Sequence, residues 1–251
     1  MARKVVVVGG AGAIGRVVSE VLGEAGMTVV VADVREQDDV VAGLVPTSGP
    51  HAAIALDVTD LDAVGAALGP GGAHADYDSV VYAAGTNYTG PVATTDWAAY
   101  DRLLAVNLRG AFHVGQAFSR NVAESPRESS AVFFSSTAGL RGEAGGSIYC
   151  ATKFGLIGFT QSLASEVAVH GARVNAVCPG NVDSPLLRTL ADQVAVRRGL
   201  TGAEVLEEYA HTTAFGRLID IREVAEVVAF LAGPASTGMS GQSVVIDGPP
   251  L

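Results

Sequence analysis

The chain has 251 residues, 49% of them hydrophobic and 17% charged, which excludes a disordered polymer and leaves room for one large α/β domain or two small ones. A formal net charge of −10 gives no electrostatic footprint for nucleic acid, and no apolar run approaches the ~20 residues that span a bilayer. Two cysteines, Cys150 and Cys178, and five scattered histidines form neither a disulfide framework nor a ligand pattern, so the expectation is a cytoplasmic protein with reduced thiols and no metal.

In chain order, Met1 to Lys4 is too short for a signal peptide, and the β-branched run Lys4–Val8 reads as a central parallel strand buried on both faces. It enters Gly9-Gly10-Ala11-Gly12-Ala13-Ile14-Gly15, then a helical pattern through Val17, Val18, Val21 and Leu22. That context gives weight to the Gly-x-Gly-x-x-Gly match at Gly10, Gly12 and Gly15. Glycines let the backbone approach a pyrophosphate, and the helix start offers free N–H groups. A plain βα turn needs one glycine; four stand here. Thr28–Ala32 reads as a second strand ending at Asp33, placed to accept hydrogen bonds from the adenosine ribose hydroxyls and to repel a 2′-phosphate. This favours NAD over NADP, with Arg35 as a counter-signal because it can accommodate that phosphate. A third strand, Ala52–Leu56, delivers Asp57-Val58, where a carboxylate can meet the adenine amino group, and Asp60 is placed to cap the next helix.

A fourth strand from Ser79 is followed by Ala83-Ala84-Gly85, small residues that permit close approach of a flat ligand at the carboxyl end of a parallel sheet. The spacing predicts a long helix from Trp97 to about Asn121, with Asn107 inside it. Asparagine at mid-helix predicts either a solvent-facing side chain or a backbone interaction that bends the helix. Ala131–Phe134 reads as a fifth strand delivering Ser135-Ser136. Tyr149 and Lys153 then stand one helical turn apart on one face, in a chain where only Lys4 and Lys153 among its basic residues are lysine. A free tyrosine titrates near ~10, and lowering that to about 7 takes roughly 4 kcal/mol of preferential stabilisation of the phenolate. The expectation is that the Lys153 ammonium supplies it. A sixth strand, Arg173–Val177, leads to Cys178-Pro179-Gly180. Residues 184–213 are more polar, with helices near Leu186–Val196 and Ala203–Tyr209, and read as an inserted lid; a helix at Glu223–Leu231 and a strand at Ser243–Ile246 close the sheet. The alternation predicts an α/β fold, a doubly wound parallel sheet of about seven strands with helices on both faces, as one domain over 1–251.

Taken together, these residues resemble the short-chain dehydrogenase/reductase family in its single-domain branch, over essentially the whole chain. Ser136, Tyr149 and Lys153 match the family's catalytic pattern, and Asn107 falls where the family places an asparagine that holds a water in a proton relay to the lysine. Pro179-Gly180-Asn181-Val182-Asp183-Ser184 is similar to the turn that contacts the nicotinamide carboxamide. Gly216-Arg217-Leu218 and Ser240-Gly241-Gln242 through Ile246-Asp247-Gly248 are similar to C-terminal signatures. Departures are Val8 where a threonine is usual, a Gly9-x-x-Gly12-x-x-Gly15 spacing with Ala13 in place of glycine, Tyr82-Ala83-Ala84-Gly85 where Asn-Asn-Ala-Gly is usual, Ser184 for threonine, and Pro249-Pro250-Leu251 at the end, where a second glycine is common.

The resemblance implies an NAD(H)-dependent alcohol/carbonyl oxidoreductase. Tyr149 serves as general acid/base, Ser136 binds the substrate oxygen, Lys153 depresses the Tyr149 pKa and binds the nicotinamide ribose, and Asn107 keeps the relay in place. The implied cofactor contacts are Gly9, Gly12, Ala13, Ile14, Gly15, Asp33, Asp57, Val58, Ala83, Ala84, Gly85, Tyr149, Lys153, Pro179, Gly180, Val182 and Ser184. Residues 180–186 and the insertion after them look like family members acting on polyols, while Leu186, Leu187, Leu190 and Val194 can either line an apolar pocket or pack as an amphipathic helix. Alternatives are a 3-oxoacyl-thioester reductase using NADPH, against which Asp33 and the charge argue, an epimerase or dehydratase, for whose extra domain the length leaves no room, and a non-catalytic NAD-sensing protein. The resemblance also implies a homotetramer paired through helices near 98–121 and 149–169, whose Ala111, Phe112, Gly115 and Phe118 can serve either that interface or the core.

Overall fold

Val, Ile and Ala are prominent in the segments that become strands, and those at Lys4–Val8, Thr28–Asp33, Ser79–Tyr82, Ser129–Phe134 and Ala172–Pro179 are buried throughout or nearly so. A computed structural model describes residues 3–249. In chain order the elements are β1 (Lys4–Val8), α1 (Ala13–Glu24), β2 (Thr28–Asp33), α2 (Asp38–Gly43), β3 (Ala52–Ala55), α3 (Leu61–Leu68), β4 (Ser79–Tyr82) and α4 (Trp97–Leu103). A π-helical segment (Leu104–Gly110) follows, then α5 (Ala111–Glu124), β5 (Ser129–Phe134), α6 (Ser147–Val167), β6 (Ala172–Pro179), α7 (Pro185–Arg198), α8 (Gly202–Ala210), α9 (Ile221–Ala232) and β7 (Ser243–Ile246). All seven strands are parallel, in the order β3-β2-β1-β4-β5-β6-β7. The order reverses between β1 and β4, which opens the crevice at their carboxyl ends where such sheets bind ligands.

Alternate residues of each strand feed two cores. Val6, Val8, Val30 and Val80 face α3, α5 and α6, where Phe118, Leu156 and Val167 lie; Val5, Val7, Val29 and Val81 face α1 and α9, where Val18, Leu22 and Leu231 lie. Because both faces are buried, the strands read as continuous apolar runs rather than alternating ones. Asp60 caps α3 as expected, accepting from the Ala63 N–H at 3.0 Å.

The expected single helix from 97 to 121 is two α-helices joined by the π-helical segment, and Asn107 lies in that joint. Its side chain is 0% exposed, so the solvent-facing alternative fails and the backbone-interaction alternative holds. Of the four residues offered for an interface, Ala111, Gly115 and Phe118 are core, and Phe112 alone is exposed, at 53%. Gly115 gives up its side chain so that α6 can approach: a Cβ there would meet the Phe159 ring at 2.4 Å. In the insertion, Ala191 and Ala195 of α7 pack on Val205 of α8, a small core separate from the two that flank the sheet.

Candidate active site

The glycine turn is held by backbone bonds. Gly9 and Gly10 N–H groups donate to Ala32 O (2.8 and 3.2 Å), and Gly12 N–H donates to Gly9 O at 3.1 Å. Where the family's threonine hydroxyl would tie the turn to its neighbour, Val8 is buried, and the Asp33 carboxylate takes over: its Oδ2 accepts from Ala11 N–H at 3.0 Å. The other oxygen accepts from Arg35 N–H at 3.0 Å, with Arg35 Nε at 3.4 Å. Asp33 is therefore a brace for the turn, and the Arg35 counter-signal is itself drawn onto this carboxylate. At the start of α1 no side chain caps the helix and no acid occupies its first turn. The amides of Ala13, Ile14 and Gly15 consequently point outward without an intrahelical acceptor, the arrangement that suits a pyrophosphate. These residues fit a dinucleotide.

Farther along the ribose side, Asp57 is exposed, but its Oδ1 already accepts from Thr59 N–H and Oγ1–H, both at 2.8 Å, and these bonds hold its carboxyl below the usual range. The Val58 side chain is turned into the core and its carbonyl pairs with the His113 ring at 2.9 Å, leaving only its amide for any cofactor contact. Ala84 packs against the same core, so Ala83 and Gly85 are the members of that trio that line the cavity.

A cavity of about 720 Å³ opens at the carboxyl ends of β4, β5 and β6, and Ile14, Ser136, Tyr149, Lys153, Pro179, Gly180, Val182 and Ser184 all line it. Lys153 is buried; its Nζ donates to Phe134 O at 2.7 Å and lies 5.4 Å from the Tyr149 ring centre. Asn107 stands behind the wall, Oδ1 accepting from Thr86 N–H at 2.8 Å, and Nδ2 donating to Thr86 O at 2.9 Å and to Thr152 Oγ1 at 3.3 Å. A Cβ on Gly85 would lie 3.6 Å from Asn107 Oδ1 and 3.9 Å from Lys153 Nζ, so the two polar groups flank this one glycine. Ser184 is the N-cap of α7, its Oγ accepting from Leu187 N–H at 3.2 Å, which leaves the hydroxyl hydrogen for a ligand. Thr86 and Thr152 had no prior signal; both are located only by the partners that the fold gives Asn107.

Burial pushes the Tyr149 phenol up to about 12, against the Ser136 hydrogen bond that favours the phenolate, while Glu143 raises it further. Burial also lowers the Lys153 ammonium to about 8. For each group burial is the largest cause of the shift. The half-buried phenol is thus held above its usual range, in the direction of the protonated form.

Toward solvent the cavity is roofed by α7, whose Leu186, Leu187, Leu190 and Val194 turn into it while Ala191 and Ala195 face α8. Both alternatives hold: the four side chains line the cavity, the alanines pack on α8, and Val194 does both. Arg197 ties the roof to the opposite rim, donating to Thr89 O at 3.2 Å and Thr89 Oγ1 at 2.8 Å. Among the described residues no helix is long and apolar enough to cross a membrane.

Known proteins share this architecture from end to end. A family model described as Enoyl-(Acyl carrier protein) reductase matches residues 9–248. The short-chain reductase protein NovJ of Streptomyces niveus is 35% identical over 97% of this chain and 92% of its own length. The cis-4-hydroxycyclohexanecarboxylate dehydrogenase of Sinomonas cyclohexanicum is 34% identical over 98% of this chain and 95% of its own. The structure of sorbitol-6-phosphate 2-dehydrogenase SrlD from Erwinia amylovora superposes with a TM-score of 0.89 at 30% identity, covering 97% of this chain and 98% of that one. With the sheet order, the glycine turn and the Ser136, Tyr149 and Lys153 cluster, these matches establish that the chain belongs to the short-chain dehydrogenase/reductase family and is an NAD(P)-dependent oxidoreductase acting on CH–OH groups.

Proposed function

We propose that the enzyme interconverts a secondary alcohol and a ketone with NAD(H), using Tyr149 as the acid/base group. The observation that carries this reading is the convergence of Ser136, Tyr149 and Lys153 on one cavity, which Pro179 and Gly180 also line. The nicotinamide, when bound, supplies the hydride acceptor or donor and, oxidised, a positive charge. The chain's own residues do the rest. Ser136 orients the substrate oxygen toward the Tyr149 hydroxyl, Tyr149 takes or gives the proton at that oxygen, and Lys153, with Asn107 behind it, carries the proton's charge away from the phenol. Ala13, Ile14 and Gly15 amides hold the pyrophosphate, Asp33 the adenosine ribose, and Val182 and Ser184 the nicotinamide end.

The preference for NAD rests on Asp33, a buried carboxylate whose charge opposes a 2′-phosphate. Asp33→Asn keeps an acceptor for Ala11 N–H but removes the charge. It is expected to tighten NADP binding about tenfold or more and to weaken NAD by a few-fold, read by titrating the nucleotide-dependent fluorescence change. Unchanged selectivity would remove Asp33 as the discriminator.

For substrate, a polyol or hydroxylated ring is favoured. The relatives include enzymes named for a hydroxycyclohexanecarboxylate and for sorbitol 6-phosphate, and the cavity mixes the α7 leucines with Asn87, Tyr88, Glu143 and Tyr209. A panel of polyols, their phosphates and cyclic hydroxy acids, followed by absorbance of the reduced nucleotide, tests this. Turnover of 3-oxoacyl thioesters alone, with NADPH, would replace it. A homotetramer remains our reading of the assembly, supported by Phe112 and Phe154, which α5 and α6 leave exposed.

A further inference from the structure

We propose that Tyr82 is a positioning residue for proton transfer: its hydroxyl holds the π-helical segment at Val106 and thereby fixes Asn107 behind Lys153. The inference rests on the reading of Asn107, Lys153 and Tyr149 as one proton path. Tyr82 ends β4, is 1% exposed, and packs its ring 6.1 Å from that of Phe133. Its hydroxyl donates to Val106 O at 2.5 Å. Val106 immediately precedes Asn107 in the widened turn, where i→i+5 bonding loosens the carbonyl ladder and lets a carbonyl leave the helix axis. A partly buried carbonyl so displaced is best satisfied by a donor, and among the described residues Tyr82 is the side chain that provides one.

The sequence makes room for this contact at a second position. Gly110 closes the same segment, and a Cβ there would come within 2.6 Å of the Tyr82 hydroxyl and 2.8 Å of Val58 Cγ2. The phenol also reaches a ring's length farther from the strand than the asparagine that the family pattern has at this position. Burial keeps the Tyr82 hydroxyl protonated far above the usual phenol range, so it remains a donor at every working pH. From the joint it secures, Asn107 is locked by both Thr86 backbone groups and by Thr152, whose own hydroxyl donates to Tyr149 O at 2.8 Å. Tyr82 touches neither the cavity nor the cofactor turn; it acts through Asn107.

Tyr82→Phe retains the ring and removes only the donor. The expected result is a fall in kcat of about tenfold, with the pH at which alcohol oxidation reaches half its plateau displaced upward and the KM for NAD unchanged. A lower melting temperature with unaltered kcat and pH profile would overturn the proposal by showing a structural role alone, and so would no change in any of these. Asn107→Ala in the same assays separates the two ways of failing. If it too keeps full activity, the proton path itself is wrong and Tyr82 falls with it. If it loses activity while Tyr82→Phe does not, the path stands and only the role of Tyr82 is overturned.

Discussion

Tyr149→Phe is expected to lower turnover about 10²–10⁴-fold while NAD binding survives. The substitution deletes one hydroxyl from a half-buried ring and leaves the α6 backbone, the Lys153 bond to Phe134 O and the glycine turn as they are. Ser136 cannot stand in, because its hydroxyl already accepts from Ala138 N–H at 3.1 Å and its ordinary pKa leaves it no better a base than water. The direction of the pH dependence follows from the raised phenol. A group near 12 is protonated at neutral pH, so ketone reduction, which needs the phenol, is expected to be flat through neutrality and to fall only at high pH. Alcohol oxidation needs the phenolate, so its rate should rise with pH with unit slope until the value in the cofactor complex is reached, which the oxidised nicotinamide's charge sets below that of the free protein. Rates measured in both directions for the wild type, with nucleotide affinity for the variant, check the pair of claims. Oxidation independent of pH between about 6 and 10 would remove Tyr149 as the titrating base.

Why so much of this was legible in advance is a matter of periodicity and local chemistry. β1 and β2 are apolar on both faces because helices cover both, so their boundaries follow from composition, and β7 was read to the residue. The Asp60 cap of α3 is set within three residues of chain. The joint at Leu104–Gly110 was not legible, because a π-turn is specified by a partner 24 residues away, Tyr82, and by the space that Gly110 leaves for it. The same is true of Asp33: its distance from the glycines pointed to a ribose contact, but its bond to Ala11 N–H depends on β2 lying beside β1. The direction of the Tyr149 shift has a related origin. Spacing reports that an ammonium is near, whereas burial of both groups is a property of the assembled fold.

The glycine turn allows folding and cofactor binding to be separated by two single substitutions. Gly9 has φ of +82°, and a Cβ there would lie 2.4 Å from Ala84 N, 2.6 Å from Ala84 Cα and 2.8 Å from the Ala83 carbonyl carbon. Every one of those atoms is backbone of the segment after β4, so no smaller side chain at 84 can relieve the collision. Gly9→Ala therefore adds a left-handed alanine, costing about 1–2 kcal/mol, to an overlap costing about 1–3 kcal/mol. In a domain of this size that corresponds to a melting temperature lower by roughly 4–20 °C, with the crevice between β1 and β4 forced open. Gly12 differs in kind. Its φ is −71°, and a Cβ would stand 3.2 Å from Gly9 O and 3.3 Å from the Arg35 guanidinium, the flexible end of an exposed side chain. Gly12→Ala is accordingly expected to melt within about 2 °C of the wild type but to bind NAD at least about tenfold more weakly, because the added methyl sits at the uncapped start of α1 where the pyrophosphate approaches. Thermal melts and nucleotide titrations of both variants decide the matter: equal loss of stability in the two would mean that the turn is a packing element throughout, and full NAD affinity in Gly12→Ala would place the pyrophosphate elsewhere.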